Sequence, residues 1–292
     1  MSRTLALVTA ARPKQWIKNF FLFAPLLFSR HLFELQTISL SAIGFLLFSL
    51  AASCIYLFND VIDREKDKLH PVKSKRPIAS GLLPITWVVV AVCITVPIVA
   101  IIALSVDVHF GIALCGYLLL NTIYTLFLKE VVIIDVMTIA ASFVLRIVSG
   151  ALIIEVPISE WLLICTSLLA LFLGFSKRRH EITVMEHKAH DHRPVLLEYS
   201  TYFLDQMTSL VTAATLISYI LYTVAEETVT KFHSKNLLIT SPFVLYGLFR
   251  YLYLIHQKQS GGDPTTELMS DKPLLADIAL WAIAVAIIIY TR

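Results

Sequence analysis

Apolar runs of about 20 residues recur along the whole chain, and a run of that length makes a helix long enough to cross a bilayer. Nine are read, at about 16–33, 38–58, 84–105, 108–128, 131–154, 158–176, 205–224, 237–257 and 273–290. The first is the weakest, because Lys18 and Pro25 interrupt it. With 57% hydrophobic and 15% charged residues the chain is too apolar for an ordinary soluble domain. The expectation is an all-α, polytopic membrane protein with about nine transmembrane helices, forming one domain over 1–292 with polar loops at 59–83, 177–204 and 258–272. The N-terminus starts polar and basic, and no small-residue cleavage site follows a short apolar core, so a cleaved signal peptide is not expected. The four cysteines, Cys54, Cys93, Cys115 and Cys165, all fall inside apolar runs and read as packing residues rather than disulfides or metal ligands.

The net charge of +3 says little, but its placement is strongly biased. One side of the membrane would carry Arg3, Arg12, Lys14 and Lys18; then Arg64, Lys66, Lys68, Lys73, Lys75 and Arg76; then Lys129; then Lys177, Arg178, Arg179, Lys188 and Arg193; then Arg250, Lys258 and Lys272. The other side would hold Arg30, Lys231, Lys235 and Arg292. The positive-inside rule puts the rich side, with the N-terminus, in the cytoplasm and the C-terminus outside. An active site is expected on the cytoplasmic face, where the long charged loops gather.

The stretch Asn59-Asp60-Val61-Ile62-Asp63-Arg64-Glu65-Lys66-Asp67 follows an apolar run directly. On a continuing helix Asp60, Asp63 and Asp67 share one face, and Asn59 joins it at i, i+4 and i+8 with Asp63 and Asp67. Crowded carboxylates repel unless a cation neutralises them, and hard oxygen ligands with room for water and phosphate suit Mg²⁺. The plainer reading is a solvated helix end whose acids pair with Arg64, Lys66 and Lys68. Two points oppose it: the acids are in register, and Glu65 and Lys66 point elsewhere.

The basic run His70-Pro71-Val72-Lys73-Ser74-Lys75-Arg76-Pro77 follows. Topology explains its sign but not why so many cations share a loop with the acidic face; arginine and lysine suit phosphate oxygens. Lys177-Arg178-Arg179-His180-Glu181 is either a topology signal or a second phosphate clamp. His180, His187, His190 and His192 have no cysteine beside them, so a solvated loop is expected there rather than a zinc site. In the fifth run Arg146 shares a face with Asp135, Ser142 and Gly150. An arginine at that depth is expensive and faces a cavity, a partner or a substrate. Asp135 lies about 16 Å from it along the axis, too far for a direct pair within the helix. Tyr124 and Lys129 end the fourth run. In Arg12-Pro13-Lys14-Gln15-Trp16-Ile17-Lys18-Asn19, Lys14 and Trp16 read as interfacial anchors, while Lys18 and Asn19 could reach inward to an anionic headgroup. Asp263, Glu267 and Asp271 repeat every four residues, but Pro264 and Pro273 argue against one continuous helix.

Asn59, Asp60, Asp63 and Asp67 match the NDxxDxxxD motif in full, and on that motif the chain resembles the UbiA superfamily of intramembrane prenyltransferases. The stretches RPKQWIKN (12–19), NDVIDREKDKLHPVKSKRPIASG (59–81), ASFVLRIVSGA (141–151), GFSKRRHE (174–181) and the RYLY…GGDP region (250–264) are similar to the phosphoribosyl branch of that superfamily, whose members use decaprenyl phosphate. Members that prenylate aromatic acceptors usually carry a second, DxxxD-like motif in the loop after the sixth span. Here that loop offers Lys177, Arg178 and Arg179 instead. A phosphoribosyl donor and a lipid phosphate bring more anionic groups than one isoprenyl diphosphate, and the added bases fit that inventory.

The resemblance implies Mg²⁺-dependent transfer of 5-phosphoribose from phosphoribosyl pyrophosphate to a polyprenyl (decaprenyl-type) phosphate in a bacterial cytoplasmic membrane. The product would be a precursor of an activated pentose for cell-envelope glycans. It implies Asn59, Asp63 and Asp67 as metal ligands, with Asp60 assisting, and Lys73, Arg76 and Lys129 beside the leaving pyrophosphate. Lys14, Lys18, Asn19, Arg146, Lys177 and Arg178, with Tyr199 from the end of loop 6–7, are the candidates for the remaining substrate groups. The acceptor is already an anionic nucleophile, which agrees with the lack of a Ser/His/Asp arrangement. Two other readings stand beside this one: a prenyltransferase for an aromatic or haem-like acceptor, and a transporter or flippase for lipid-linked anions. Charge gathered on one face, rather than along several spans, argues against transport. No nucleic-acid partner is expected; membrane enzymes of this kind often associate as homo-oligomers, but the residues fix no number.

Overall fold

A computed structural model describes residues 2–69, 72–185, 194–258 and 264–291. His70-Pro71, Lys188, Arg193, the histidines at 187, 190 and 192, and Gly261-Gly262-Asp263 lie outside the described residues. All regular structure among the described residues is helical. That is how a chain so apolar satisfies its backbone, since a helix pairs its own N–H and C=O groups where no water can. The helices are α1 (Arg3–Ala10), α2 (Ala24–Phe28), α3 (Leu35–Ile62), α4 (Arg64–Leu69), α5 (Ile85–Val106), α6 (Val108–Leu126), α7 (Ile134–Ile153), α8 (Glu160–Met185), α9 (Thr201–Val224), α10 (Glu226–Phe232), α11 (Ser241–Gln257), α12 (Pro264–Ser270) and α13 (Lys272–Tyr290).

Eight of these segments are long and apolar enough to span a membrane: those built on α3, α5, α6, α7, α8, α9, α11 and α13. The ninth expected span, 16–33, takes another form. Pro13–Phe23 is a 3₁₀ segment, followed only by the five-residue α2. Pro13, Pro25 and the polar pair Lys18-Asn19 work against a long regular α-helix there. Two loop expectations also change. The Lys177–Glu181 motif is not in a loop, because α8 continues to Met185. The 258–272 loop contains α12, and Asp271 breaks it from α13 by capping the latter, accepting from Leu274 N at 2.9 Å. Asp107 and Ser200 cap α6 and α9 in the same way. Gly81, at φ +79°, supplies the left-handed turn that ends the loop before α5.

The chain divides into two compact units. The first comprises residues 1–26, 31–157 and 189–195. Its core is Leu22, Leu26, Leu47, Phe48, Ala51, Ala52, Val99, Ala103, Phe110, Leu114, Tyr117, Ile153 and Ile154, shared by α3, α5, α6, α7 and the Pro13–Phe23 segment. A Cβ on Gly150 would fall on the carbonyl oxygen of Leu22, so the close approach of α7 to that segment requires glycine. The second unit comprises residues 27–30, 158–188 and 196–292. It is built on α8, α9, α11 and α13, with a cluster of Phe232, Leu237, Val285 and Ile289 closed by Trp281 and Tyr222.

Candidate active site

The helix of the acidic motif bends but keeps its register. α3 ends at Ile62 and Asp63 turns, yet Asp63 N still bonds Asn59 O at 2.9 Å and Asp67 N bonds Asp63 O at 2.8 Å. The side chains therefore stay on one face. Asp60, Asp63 and Asp67 are 2%, 8% and 4% exposed, while Glu65, Lys66 and Lys68 point to the surface.

The neighbouring cations are not the partners of these acids. Lys68 and Arg64 pair with Glu65, and Lys66 pairs with Glu130 at 3.0 Å. The Lys68 ammonium bonded to Glu65 holds that exposed carboxyl below its ordinary range. The buried aspartates draw their cations from three other places. Arg12, between α1 and the Pro13–Phe23 segment, bonds Asp60. Arg76 bridges Asp60 at 3.1 Å and Asp67 at 2.6 Å through one nitrogen, Nη1. Lys129, itself 4% exposed, donates to Asp63 Oδ1 at 2.6 Å, and the Asn59 amide donates to Asp63 Oδ2 at 3.0 Å. Arg12, Asp60, Arg76 and Asp67 thus alternate in one bonded chain, and Lys129–Asp63 stands as a further pair on the same acidic face, six charges in all within the first unit. Such groups are tolerated in a buried setting only when paired and hydrogen-bonded.

Two strained backbones carry this array. Arg12 sits at φ 52°, ψ 60°, in the left-handed region, immediately before Pro13. That conformation is disfavoured both for a side chain with a Cβ and for a residue preceding proline. Four residues after Lys129, Ile133 stands at φ 69°, ψ −45°, and Ile134 N bonds Val132 O at 2.8 Å across it, a tight three-residue turn centred on a β-branched residue. Strain of this kind persists where surrounding contacts enforce it, and it gathers at functional sites.

Arg12 was not among the candidate ligands drawn from the sequence. The signal was present: Ser53, Tyr56 and Asp60 lie at i, i+3 and i+7 on α3, and all three receive the Arg12 turn. Ser53 Oγ donates to Ala11 O at 2.9 Å, Trp16 Nε1 donates to Ser53 Oγ at 3.0 Å, and the guanidinium lies 5.1 Å from the centre of the Tyr56 ring.

Arg146 and Asn19 are brought together. Both are buried, and they hold each other: Arg146 Nε donates to Asn19 Oδ1 at 2.8 Å, and Asn19 Nδ2 donates to Ser49 Oγ at 3.0 Å. Arg146 Nη1 and Nη2 donate to Ser142 O and Tyr117 Oη, and the guanidinium packs on the Tyr117 and Phe143 rings. The cost of an arginine in a span is met by protein acceptors, so it fastens the Pro13–Phe23 segment to α7, one turn from the Gly150–Leu22 approach. Trp16 is likewise hydrogen-bonded to Ser53, more than the interfacial anchor expected of it. Lys14 is exposed; Lys18 and Lys73 are partly buried in the first unit.

Lys177, Arg178 and Tyr199 belong to the second unit. Arg178 is buried and pairs with Glu181 one turn along α8; Arg179 pairs with Asp205 of α9, which also accepts from His256 Nε2 at 3.3 Å. Tyr199 is buried and stacks on Phe203 at 6.0 Å.

The donor set of the first unit fits a hard divalent cation: three aspartates and an asparagine oxygen on one face, with no sulfur or imidazole among them. In the present ion-paired arrangement, no three His, Cys, Asp or Glu side chains among the described residues are gathered to hold a metal ion. A cation entering here would have to displace the basic partners.

A sequence model of the UbiA prenyltransferase family matches residues 20–270. The chain belongs to that family. It is 31% identical over 295 residues to the decaprenyl-phosphate phosphoribosyltransferase of Corynebacterium glutamicum, covering 97% of this chain and 86% of that one. The protein of the same name from Mycolicibacterium smegmatis is 30% identical over 226 residues, covering 76% of this chain and 71% of that one. Among solved structures, a UbiA homologue from Archaeoglobus fulgidus bound to GPP and Mg²⁺ has a TM-score of 0.72 at 17% identity, covering 97% of this chain and 99% of that one. A digeranylgeranylglyceryl phosphate synthase has a TM-score of 0.66 at 16% identity, covering 100% of both chains. These structures share the fold. This UbiA-family chain is thus an integral membrane protein and a transferase.

Proposed function

We propose that this protein transfers 5-phosphoribose from phosphoribosyl pyrophosphate to a polyprenyl phosphate of decaprenyl type, releasing pyrophosphate. The observation that carries the reading is the alternating array. Three buried aspartates are matched by Arg12, Arg76 and Lys129, which sets phosphate-binding cations beside a face of metal-binding oxygens. The identity across 97% of the chain with a transferase of that name supports the same choice of donor.

A Mg²⁺ ion bound here would supply charge neutralisation for the pyrophosphate. Asn59, Asp63 and Asp67 would hold it, with Asp60 assisting. Lys73, Arg76 and Lys129 stabilise the charge that develops on the leaving pyrophosphate, which departs with the electron pair of the C1–O bond. An oxygen of the lipid phosphate forms the new bond to C1. That oxygen is already anionic, so no proton has to be removed. The aspartate face tolerates positive character at C1. Lys14 and Lys18 of the first unit, and Lys177, Arg178 and Tyr199 of the second, serve as the candidates for the 5-phosphate and the lipid phosphate. Asn19 and Arg146 act as positioning residues. The family match across residues 20–270 supports one UbiA-like domain over 1–292, and the biased charge distribution supports a site on the cytoplasmic side of a bacterial inner membrane.

The test is a donor comparison on purified protein with Mg²⁺ and a polyprenyl phosphate. Label passing from phosphoribosyl pyrophosphate into a lipid-soluble product is the expected result. Prenylation of an aromatic acid by a polyprenyl pyrophosphate, with no such transfer, would return the chain to the wider family's chemistry.

A further inference from the structure

We propose that Arg12 is the displaceable counter-ion of this site: it holds Asp60 while no metal is bound, and turns to the pyrophosphate when a divalent cation and that anion enter together. The inference rests on the metal and pyrophosphate reading above and adds a residue and an order of events to it.

Redundancy singles Arg12 out. Asp60 has two cations, Arg12 and Arg76; Asp67 has Arg76, and Asp63 has Lys129. If Arg76 left before a metal arrived, Asp67 would lose its cation, and if Lys129 left first, Asp63 would lose its own, so these two turn only once the metal stands in for them. If Arg12 leaves, Asp60 keeps Arg76, and no buried carboxylate is orphaned. Arg12 also reaches the surface, with its side chain 27% exposed against 5% for Lys129, so it has somewhere to go. Its backbone stores the means. The left-handed turn before Pro13 is held by the bonds to Ser53 and by the Tyr56 ring rather than by its own preference.

Charge balance then sets the order. The three aspartates and three cations sum to zero. A divalent cation alone would leave two uncompensated positive charges, and a pyrophosphate alone would leave several negative ones; either is costly in a buried array. Entering together they largely cancel, and the released guanidinium meets the negative charge that the phosphate still carries. Metal and anion are therefore coupled through Arg12, and such coupling is reciprocal.

The experiment reads Mg²⁺ binding as the shift of the thermal unfolding midpoint of the full chain, with and without inorganic pyrophosphate at fixed free Mg²⁺. Arg12→Gln is expected to bind Mg²⁺ alone about tenfold more tightly than wild type, and pyrophosphate with Mg²⁺ about tenfold more weakly. The crossed signs are the signature, since damage to the fold would weaken both. Arg12→Lys, which keeps the charge, is expected to restore the wild-type pattern. Tyr56→Leu leaves every charge in place and removes the ring under the guanidinium; it is expected to tighten Mg²⁺ alone by about threefold. It decides the matter should Arg12→Gln not fold. Unchanged Mg²⁺ affinity in both variants, or weakening in both conditions, overturns the proposal. Donor transfer by the wild type is a separate readout, so crossed signs without phosphoribosyl transfer would keep Arg12's role and remove the proposed reaction.

Discussion

The two units handle charge in opposite ways. In the first, the acids share one face of the α3–α4 stretch and the cations arrive from three distant segments at Arg12, Arg76 and Lys129. In the second, the cations sit together on α8 and the acids come to them, Glu181 from the same helix and Asp205 from α9. An acidic face with separately mounted cations can exchange those cations for a metal without rebuilding its helix. A basic run whose guanidiniums are each tied to a carboxylate, Arg178 to Glu181 and Arg179 to Asp205, is held in place. The first arrangement suits a metal and a leaving pyrophosphate; the second suits a phosphate that binds and stays.

The largest test of that contrast is Asp63→Ala. It removes the carboxylate that bonds both Lys129 and Asn59, and kcat/KM should fall by at least about 100-fold. Near-normal turnover at saturating Mg²⁺ would undo the metal assignment and with it the distinction between the units. Arg146→Leu comes next and strikes the scaffold instead. With Asn19 Oδ1 and Tyr117 Oη left without their donor, stability should drop by about 3 kcal/mol, measured as the unfolding midpoint in detergent. A variant as stable as wild type would mean that Arg146 is not the fastening of the Pro13–Phe23 segment.

Substitutions in the second unit should act on one substrate. Arg178→Ala or Lys177→Ala is expected to raise KM for the polyprenyl phosphate roughly tenfold with kcat little changed. If KM for phosphoribosyl pyrophosphate rises instead, the two phosphates exchange places. The smallest effect belongs to Asp271. Its carboxyl is held below the ordinary range by the Arg250 guanidinium and by the cap bond to Leu274 N. A depressed folded pKa gives stability that is complete above the unfolded value and lost as the pH falls through the folded one. Asp271→Asn keeps a cap but loses the ion pair. Its midpoint should lie slightly below wild type from neutral pH down to about pH 4, and the gap should close below that. A gap that persists in acid would point to the cap rather than the charge.

Much of this protein was legible in the chain. Run length determined eight of the nine expected spans, because a helix must cover a fixed hydrocarbon thickness. The 3.6-residue period determined that Asp60, Asp63 and Asp67 share a face, and that survives the bend at Asp63. The segment 16–33 departs from a regular α-helix where its own residues were equivocal: Pro13, Lys18, Asn19 and Pro25 mark an irregular helix as readily as a poor span. The reach of α8 past residue 176 was missed because a charged run reads as a loop when only hydropathy is counted.

What only the tertiary structure decided was pairing. Local cations were the natural partners for the aspartates by distance along the chain, yet Arg64 and Lys68 go to Glu65 and Lys66 to Glu130, while the buried acids take Arg12, Arg76 and Lys129. That Arg146 donates to Asn19, 127 residues away, was equally out of reach of the chain's local pattern. The physical reason is that periodicity and hydropathy are properties of neighbours along the chain. The satisfaction of a buried charge is a property of whatever the fold brings within about 3 Å of it, and hydrogen-bond geometry has no dependence on sequence separation.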